Sequence, residues 1–351
     1  MKRIYPKVKS IIKDPAAFFA FFYYFIGAIS IISYFYALLK TKWILSVKNW
    51  LFLITLFLLF ILSSLLSGFL ESLVVYRFHW GFVVFYLYFL SSPHKFNFLS
   101  LLVLMLVMIV IEGVLVNTVV NAINLPNYTD RGVYHATETW QRVHSYGGNS
   151  SVSGVLLVVV LSIVRSGLLL ILSAPIVFFF TASGSGILIY IFYLVYRLTF
   201  MKSFMLASLL LLMYFVFVND IDMLAGISPD YINSLIKLKQ EQIVSKVSNM
   251  SVVDMLIGTS RIDNRGGDFL WLSFYVCHGF LGAALMALMI FSNINKNNIF
   301  GVLAIVLMTF HYFILFSLPG QFIFGYLLAL KSNCEKETYL EKKMKLEKSY
   351  S

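Results

Sequence analysis

The sequence predicts an all-α polytopic membrane protein with about ten or eleven transmembrane helices, from its composition, its low charge and its repeated apolar runs. Of its 351 residues, 60% are hydrophobic and only 12% are charged, whereas soluble domains average about 45–50% apolar and roughly 25% charged residues. Runs of about 20 apolar residues, the length that crosses a bilayer as a helix, recur along most of the chain. This pattern excludes an ordinary soluble enzyme.

Eleven apolar stretches are candidate spans, and together they make the whole chain, 1–351, a single integral membrane domain. The first, 16–39, is too long for a signal-peptide core and lacks a small-x-small cleavage site. Three others are shorter than a bilayer is thick, which favours half-helices or helices buried by their neighbours. These three are 151–164, 167–181 and 319–330. The remaining stretches are 50–70, 72–92, 98–120, 184–200, 203–219, 269–291 and 299–317.

The net charge of +11 is typical of membrane topology rather than of nucleic-acid binding, because the basic residues flank the apolar runs. They cluster before residue 16 and in a tail over 331–351. After the fourth stretch they mark alternate connections, and the positive-inside rule puts these connections and the tail in the cytoplasm. The marking residues are Lys95, Arg165, Arg197, Lys202 and Lys296.

The orientation of the N-terminus does not follow from this count. Eleven full crossings with the tail inside would leave the basic N-terminus outside, against the same rule. The 72–92 stretch is the best candidate for an incomplete crossing, because it contains Arg77 and His79 and ionisable residues are costly within a span. Its exclusion, however, moves three further cations outside, so the parity stays open. They are Lys40, Lys42 and Lys48.

Two polar interruptions, 121–150 and 220–268, become outer loops under this orientation. The second contains a helix of its own, because Ser228-Pro229 is a good helix start and apolar residues then recur on one helical face. We expect this amphipathic helix to lie on the outer membrane–water interface. Its apolar face comprises Ile232, Leu235, Ile236, Ile243, Val244 and Val247, opposite Lys237, Lys239, Glu241 and Lys246.

The first outer loop ends in a stretch that suits an anionic ligand. Arg142 and His144 are followed by Gly147, Gly148 and Asn149 directly before an apolar run. An arginine beside backbone freed by glycines can donate bidentate hydrogen bonds to a phosphate and keeps its charge. The alternative is an arginine anchored at lipid head groups and a glycine turn.

The second outer loop ends in a similar way. Arg261 and Arg265 precede Asp268, with which the next apolar run begins. Two arginines could hold a pyrophosphate while the carboxylate acts as a base. The alternative is a solvated turn in which Asp268 caps a helix.

Metal and disulfide sites are not predicted. The pair Asp220 and Asp222 has the Asp-x-Asp spacing that can hold a divalent cation, but ordinary interfacial carboxylates are the favoured interpretation. Cys277 and Cys334 form neither a disulfide framework nor a metal cluster.

Several short motifs resemble the Wzy-type O-antigen and capsule polymerases and their relatives, the O-antigen ligases. The segment 256–258 (Leu-Ile-Gly) is followed by Asp268-Phe269 and then by 279–282 (Gly-Phe-Leu-Gly). In the ligases a His-led pair stands where Asp268-Phe269 stands here. Arg142, Gly147 and Asn149 are similar to the family's arginine–glycine–asparagine stretch. The segment 181–183 (Thr-Ala-Ser) resembles its Thr-x-Ser-Arg element, although Gly184 replaces the arginine.

The resemblance implies a polymerase with a glycosyltransferase C-like fold in the bacterial inner membrane. It would join undecaprenyl-diphosphate-linked oligosaccharide repeats at the periplasmic face, without a cofactor, among membrane lipid and with a chain-length regulator protein as a candidate partner. Asp268 would act as the base, with His144 as the second candidate. Arg142, Arg261 and Arg265 would neutralise the departing diphosphate. The structural motif residues would be Gly147, Asn149, Gly258, Gly279 and Gly282.

Two alternatives remain at this point. An O-antigen ligase uses the same donor with a lipid A-core acceptor, but Asp rather than His at position 268 favours the polymerase. A flippase or transporter of lipid-linked sugars would carry charges along a central cavity across both halves, whereas these cations concentrate at one face.

Overall fold

A computed structural model describes residues 14–43, 45–91, 96–118, 142–198, 208, 229–261, 269–310, 312 and 314–331. Within these ranges the regular structure is helical, which confirms the all-α prediction. The helices of the first half are α1 (Pro15–Phe21), α2 (Tyr23–Ile26), α3 (Ile32–Lys40), α4 (Val47–Ser67), α5 (Phe69–Trp80), α6 (Phe82–Ser91) and α7 (Phe98–Thr118).

The second half begins with α8 (Ser150–Val164), α9 (Gly167–Pro175), a π-helical turn (Ile176–Thr181) and α10 (Gly184–Arg197). It continues with α11 (Pro229–Val247), α12 (Val252–Ile257), α13 (Leu270–Asn293), α14 (Ile299–Met308) and a last helix, α15, over 318–331. Among the described residues, three helices are long and apolar enough to cross a membrane, namely α4, α7 and α13. The pair α5 and α6 makes a fourth, bent by 57°.

The first apolar stretch, 16–39, is not the single continuous helix that its hydropathy suggests. The chain turns back between α1 and α3, so that the Ser33 hydroxyl donates to the carbonyl of Ala16 at 2.6 Å. In a straight helix these two residues would be about 25 Å apart. Both ends of the stretch therefore leave it on the same side, and Lys40 follows on the side where Pro15 begins. The segment 72–92 is bent at Gly81, between α5 and α6. The hairpin alone changes the number of crossings by one, so the orientation no longer requires that 72–92 be excluded as a crossing.

One end of the helices collects basic residues. Arg197 donates to the carbonyl of Arg165, and Lys331 donates to the carbonyl of Ser292 at 3.0 Å. The Tyr196 hydroxyl reaches the carbonyl of Lys296 at 3.5 Å. Lys48 belongs to the same end, because its neighbour Asn49 and Asn293 both contact the Tyr86 hydroxyl. We call this the basic end.

Two of the three short stretches are buried, as their length predicts. Residues 150–161 of α8 are buried throughout, and α15 is buried along most of its length. In α15 the ring of Phe322 packs on those of Phe21, Phe85 and Phe89. The third stretch differs, since the side chains of Leu168, Ile171 and Leu172 are exposed on α9.

The amphipathic segment of the second loop forms a helix, α11. Its apolar residues Ile236 and Val244 are 50% and 67% exposed, so the rest of the described protein leaves these two side chains largely uncovered. The other parts of the predicted loops, 121–141, 220–228 and 262–268, and the basic tail over 332–351 lie outside the described residues.

Candidate functional site

Most of the predicted site residues lie in the part of the chain that the structure describes. Two do not, since Arg265 and Asp268 fall outside it. The others form two groups: a first cluster, comprising 142–149 and the turn 181–183, and a second cluster, comprising 256–261 and the middle of α13.

The first cluster is buried and hydrogen-bonded through its backbone. The amide of Val143 donates to the carbonyl of Phe180 at 3.0 Å, and the amide of Ser145 donates to the Glu112 carboxylate at 2.9 Å. The Ser153 hydroxyl accepts from the Gly147 amide at 2.9 Å and donates to the carbonyl of His144 at 2.5 Å. These bonds hold the chain between α7 and the start of α8.

The glycines and the asparagine of this cluster serve the local turn. A Cβ at Gly147 would lie 2.5 Å from the Ser153 hydroxyl, so only glycine fits. Gly148 adopts a left-handed conformation with φ +67°, and the Asn149 side chain caps α8 by accepting from the Ser151 amide at 2.8 Å. Gly147 and Asn149 therefore shape the helix start, as the alternative interpretation expects of the glycines.

Three ionisable side chains of the first cluster differ in accessibility. Arg142 is partly exposed, whereas the His144 side chain is only 4% exposed. Tyr146 is fully buried and donates to the carbonyl of Ser153 at 2.7 Å. Burial raises the pKa of the Tyr146 hydroxyl well above its usual value, so it stays protonated and cannot serve as a base. Of these three side chains, Arg142 is thus the one that is partly accessible to solvent.

Within the first cluster, the turn 181–183 packs against α8 and follows directly on Phe180, which accepts from the Val143 amide. The π-helical turn ends at Ala182, whose φ is +42°, and the Ser183 hydroxyl then caps α10 by accepting from Gly186 at 3.0 Å. A Cβ at Gly154 would lie 3.0 Å from the Thr181 hydroxyl and 3.4 Å from the Cα of Gly186. The structure therefore brings two separate sequence motifs together, while a Cβ at Gly184, the next residue after 181–183, would meet open space.

The second cluster is a backbone crossing at a helix break. Helix α13 is interrupted at Gly279, which has φ +61° and ψ −167°. The carbonyl of Val276 accepts from the Thr259 amide at 2.8 Å, and that of Cys277 accepts from the Ser260 hydroxyl at 3.0 Å. These bonds satisfy carbonyls that the break deprives of their helical donors.

Glycine is required on both sides of this crossing. A Cβ at Gly258 would overlap the backbone of Cys277 and His278, and a Cβ at Gly279 would overlap the backbone of Leu256. Gly258 also has φ +83°, which strains any other residue. The two segments quoted for the resemblance, 256–258 and 279–282, are therefore in direct contact. Arg261, three residues after the first of them, is exposed.

The break also contains a histidine pair that the sequence analysis missed. The Nδ1 of His79 lies 2.8 Å from the Nε2 of His278, and both side chains are 1% exposed. Gly282 makes room for this pair, because a Cβ there would overlap the Cβ of His278. The sequence contains two separate signals, His79 as an ionisable residue within an apolar stretch and the place of His278 directly before Gly279, but nothing that pairs them. The aromatic rings around the pair belong to Tyr76, Trp80, Phe274 and Phe316.

Arg77 is a further cation that the predicted site omitted. It is exposed, and its guanidinium lies 5.8 Å from the ring centre of Tyr34. The Tyr34 hydroxyl donates to Gln321, whose side-chain amide donates to the carbonyl of Arg77 at 3.1 Å. Among the described residues, no carboxylate is recorded in an ion pair with Arg77. A cation in a bent apolar span is costly unless it faces water, a cavity or an anion.

The arrangement can bind an anion through arginines, and it places them on separate helix groups. Arg142 lies between α7 and α8, Arg261 follows α12, and Arg77 lies on α5. No group of three or more His, Cys, Asp or Glu side chains at metal-binding distance occurs in the described ranges. Comparison of the chain with family models, with curated proteins and with solved structures finds no match to any of them.

Proposed function

We propose that the protein is a membrane glycosyltransferase that polymerises oligosaccharide repeats carried on undecaprenyl diphosphate, at the periplasmic face of the bacterial inner membrane. The observation that carries this proposal is the backbone contact between 256–260 and 276–279. Both segments belong to the motifs that resemble the Wzy-type polymerases. The part of the connection between them that includes Arg265 and Asp268, 262–268, lies outside the described residues.

The proposed topology has about ten crossings, with the two polar loops outside and a glycosyltransferase C-like arrangement of helices. The basic end supports this orientation, because Lys48, Arg165, Arg197, Lys296 and Lys331 share it, as the positive-inside rule requires of a cytoplasmic face. The hairpin between α1 and α3 also supports it, because both ends of that stretch then leave on one side, which is the arrangement expected for a basic segment before residue 16.

In the proposed reaction, an acceptor hydroxyl of one lipid-linked repeat attacks the anomeric carbon of the growing chain. The bond between that carbon and the diphosphate oxygen breaks, and the lipid diphosphate leaves with the electron pair. Asp268 takes the proton of the attacking hydroxyl. Arg142, Arg261 and Arg265 stabilise the charge that develops on the leaving group. The burial of His144 favours Asp268 over His144 as the base.

The proposal is tested by Asp268→Asn in cells that lack the chromosomal gene. We expect single repeats transferred to the lipid A-core, no polymer, and normal protein level. Glu241→Gln, an exposed carboxylate on α11, is the matched control and should make full polymer. Repeats retained on the cytoplasmic side in the deletion strain would instead indicate a flippase, and the absence of any capped core would indicate a ligase. Either result would overturn the polymerase proposal.

A further inference from the structure

A crevice at the basic end of the helices is separate from the two clusters described above. It lies between α4, α6 and α13 and has a volume of about 310 Å³. It follows α13 from Leu285 to Asn293, and its end at Asn293 is 14 residues from the break at Gly279, or about 21 Å along a helix. A charged head group bound at that end would therefore not contact the second cluster.

The rim of the crevice at Lys48 and Asn49 presents hydrogen-bond donors and positive charge. The Asn49 side-chain oxygen faces the Tyr86 hydroxyl at 3.1 Å, so its amide nitrogen points away from Tyr86. No acceptor for that nitrogen is found in the described part of the chain. Lys48, the preceding residue, is exposed and forms no recorded ion pair with a described residue. The Lys48 ammonium and the Asn49 amide nitrogen are therefore two adjacent donors that can bind an oxyanion.

The body of the crevice is apolar and opens sideways. Its walls include Phe52 and Met289, and Leu51 and Leu288 flank its mouth with 60% and 67% of their side chains exposed. Such exposure of leucines is expected where hydrocarbon, not water, is the solvent. The crevice thus joins an anion-binding rim to an apolar channel, which is the shape of an amphiphile with an acidic head.

We propose that this crevice binds an anionic phospholipid of the surrounding bilayer. The phosphodiester accepts hydrogen bonds from Lys48 and Asn49, and the first part of one acyl chain lies against Leu51, Phe52 and Leu288. The charge of the basic end selects the anionic head, because Lys296 and Lys331 add positive potential nearby. The ammonium of a zwitterionic head group would instead be repelled. This site is independent of the proposed polymerase activity.

The test is lipid binding to the purified full-length protein, measured by native mass spectrometry in detergent. Dioleoyl phosphatidylglycerol and dioleoyl phosphatidylcholine have the same chains and differ in the head group. We expect tighter binding of phosphatidylglycerol, and Lys48→Ala should weaken it about fivefold. Lys296→Ala removes the same charge at the same end but outside the crevice, and it should have a clearly smaller effect.

A second variant tests the apolar part. Leu288→Trp adds bulk at an exposed position, where the fold tolerates it, and should reduce phosphatidylglycerol binding by partly filling the mouth. Equal binding of the two lipids, or equal losses in Lys48→Ala and Lys296→Ala, would overturn the site in favour of diffuse surface charge. Dimerisation of the delipidated protein that phosphatidylglycerol fails to reverse would likewise overturn it, since a second copy would then occupy the crevice.

Discussion

The first and second clusters both require glycines, but the glycines of the first make a local contact and those of the second a long-range one. In the first cluster Gly147 approaches Ser153, only six residues further along the chain. In the second, Gly258 approaches His278, and Gly279 approaches Leu256, across a stretch of about twenty residues. The first cluster is therefore a local turn that starts a helix, whereas the second joins two distant segments. Damage to the second should separate the residues on either side of Asp268.

The largest expected effect comes from removing the three arginines proposed to bind the diphosphate. If Arg142, Arg261 and Arg265 bind one diphosphate, each Ala variant should lower polymer formation by about 10²–10³-fold, because the leaving group then lacks a positive partner. Polymer length on gels and protein level on blots are the measurements. Lysine should rescue poorly where bidentate geometry matters.

The control for these arginines is Lys237→Ala, which removes an exposed cation from α11. It should leave polymer length unchanged. An effect at Arg261 and Arg265 but none at Arg142 would break the comparison, because the first cluster would then be only a structural turn. Full-length polymer from all three Ala variants would contradict the assignment of the arginines altogether.

The next effect concerns stability and separates the two kinds of glycine. Gly258→Ala combines backbone overlap with a strained positive φ, so we expect a loss of about 2–4 kcal/mol in the free energy of unfolding. Gly184→Ala meets open space and should change it by less than about 0.5 kcal/mol. Thermal unfolding in detergent measures both. Equal melting temperatures would mean that 256–258 and α13 do not touch.

The sequence predicted some of this fold for sound physical reasons. The stretches 151–164 and 319–330 are too short to span freely, and they are buried. The hairpin within 16–39 was missed because hydropathy reports composition and not direction. Its one local marker is Gly27, with φ +56°. Such a turn does not lower the mean hydropathy of the stretch, so a search for apolar runs does not detect it.

The candidate site was predictable to a similar degree. Motif spacing selected Gly258 and Gly279, and the structure gives their contact a steric reason. His278 was missed because its importance depends on a helix break and on His79, which lies about 200 residues away in sequence. Long-range pairs of this kind leave no pattern within a short sequence window. The roles of Arg265 and Asp268 stay predictions.

A smaller effect is expected from the amphipathic helix α11. We predict that it closes over the lipid-linked repeat bound at the outer face, since its apolar residues have no reason to exist in a solvated loop and its charges bar it from the bilayer. Lys239 already reaches the ring of Phe269, 5.8 Å away, at the start of α13. A disulfide between cysteines placed at Ile236 and Asn149 should change in yield about twofold when lipid-linked repeat is added.

The crosslinking background is designed around the native cysteines. Cys277 is fully buried and can stay, whereas Cys334 is replaced by Ser. A cysteine at Leu51, which is exposed at the basic end, should not crosslink to position 149 and is the control. A yield that is indifferent to substrate would identify α11 as a fixed interfacial cover, so that the second cluster would be open at all times.

The smallest expected effect is that of chelation, which tests whether arginines or a metal ion stabilise the charge on the diphosphate. Polymerisation in vitro should survive EDTA within about twofold, because arginines at both clusters can supply the positive charge that a metal otherwise gives to a diphosphate. The sequence offers no group of carboxylates at ligand spacing around Asp268, although Asp220 and Asp222 form an Asp-x-Asp pair in the same loop. The same preparation with added Mg²⁺ or Mn²⁺ is the control. Loss of activity on chelation that these ions restore would move the reacting centre to Asp220 and Asp222, and the arginines of both clusters would then only hold the lipid in place.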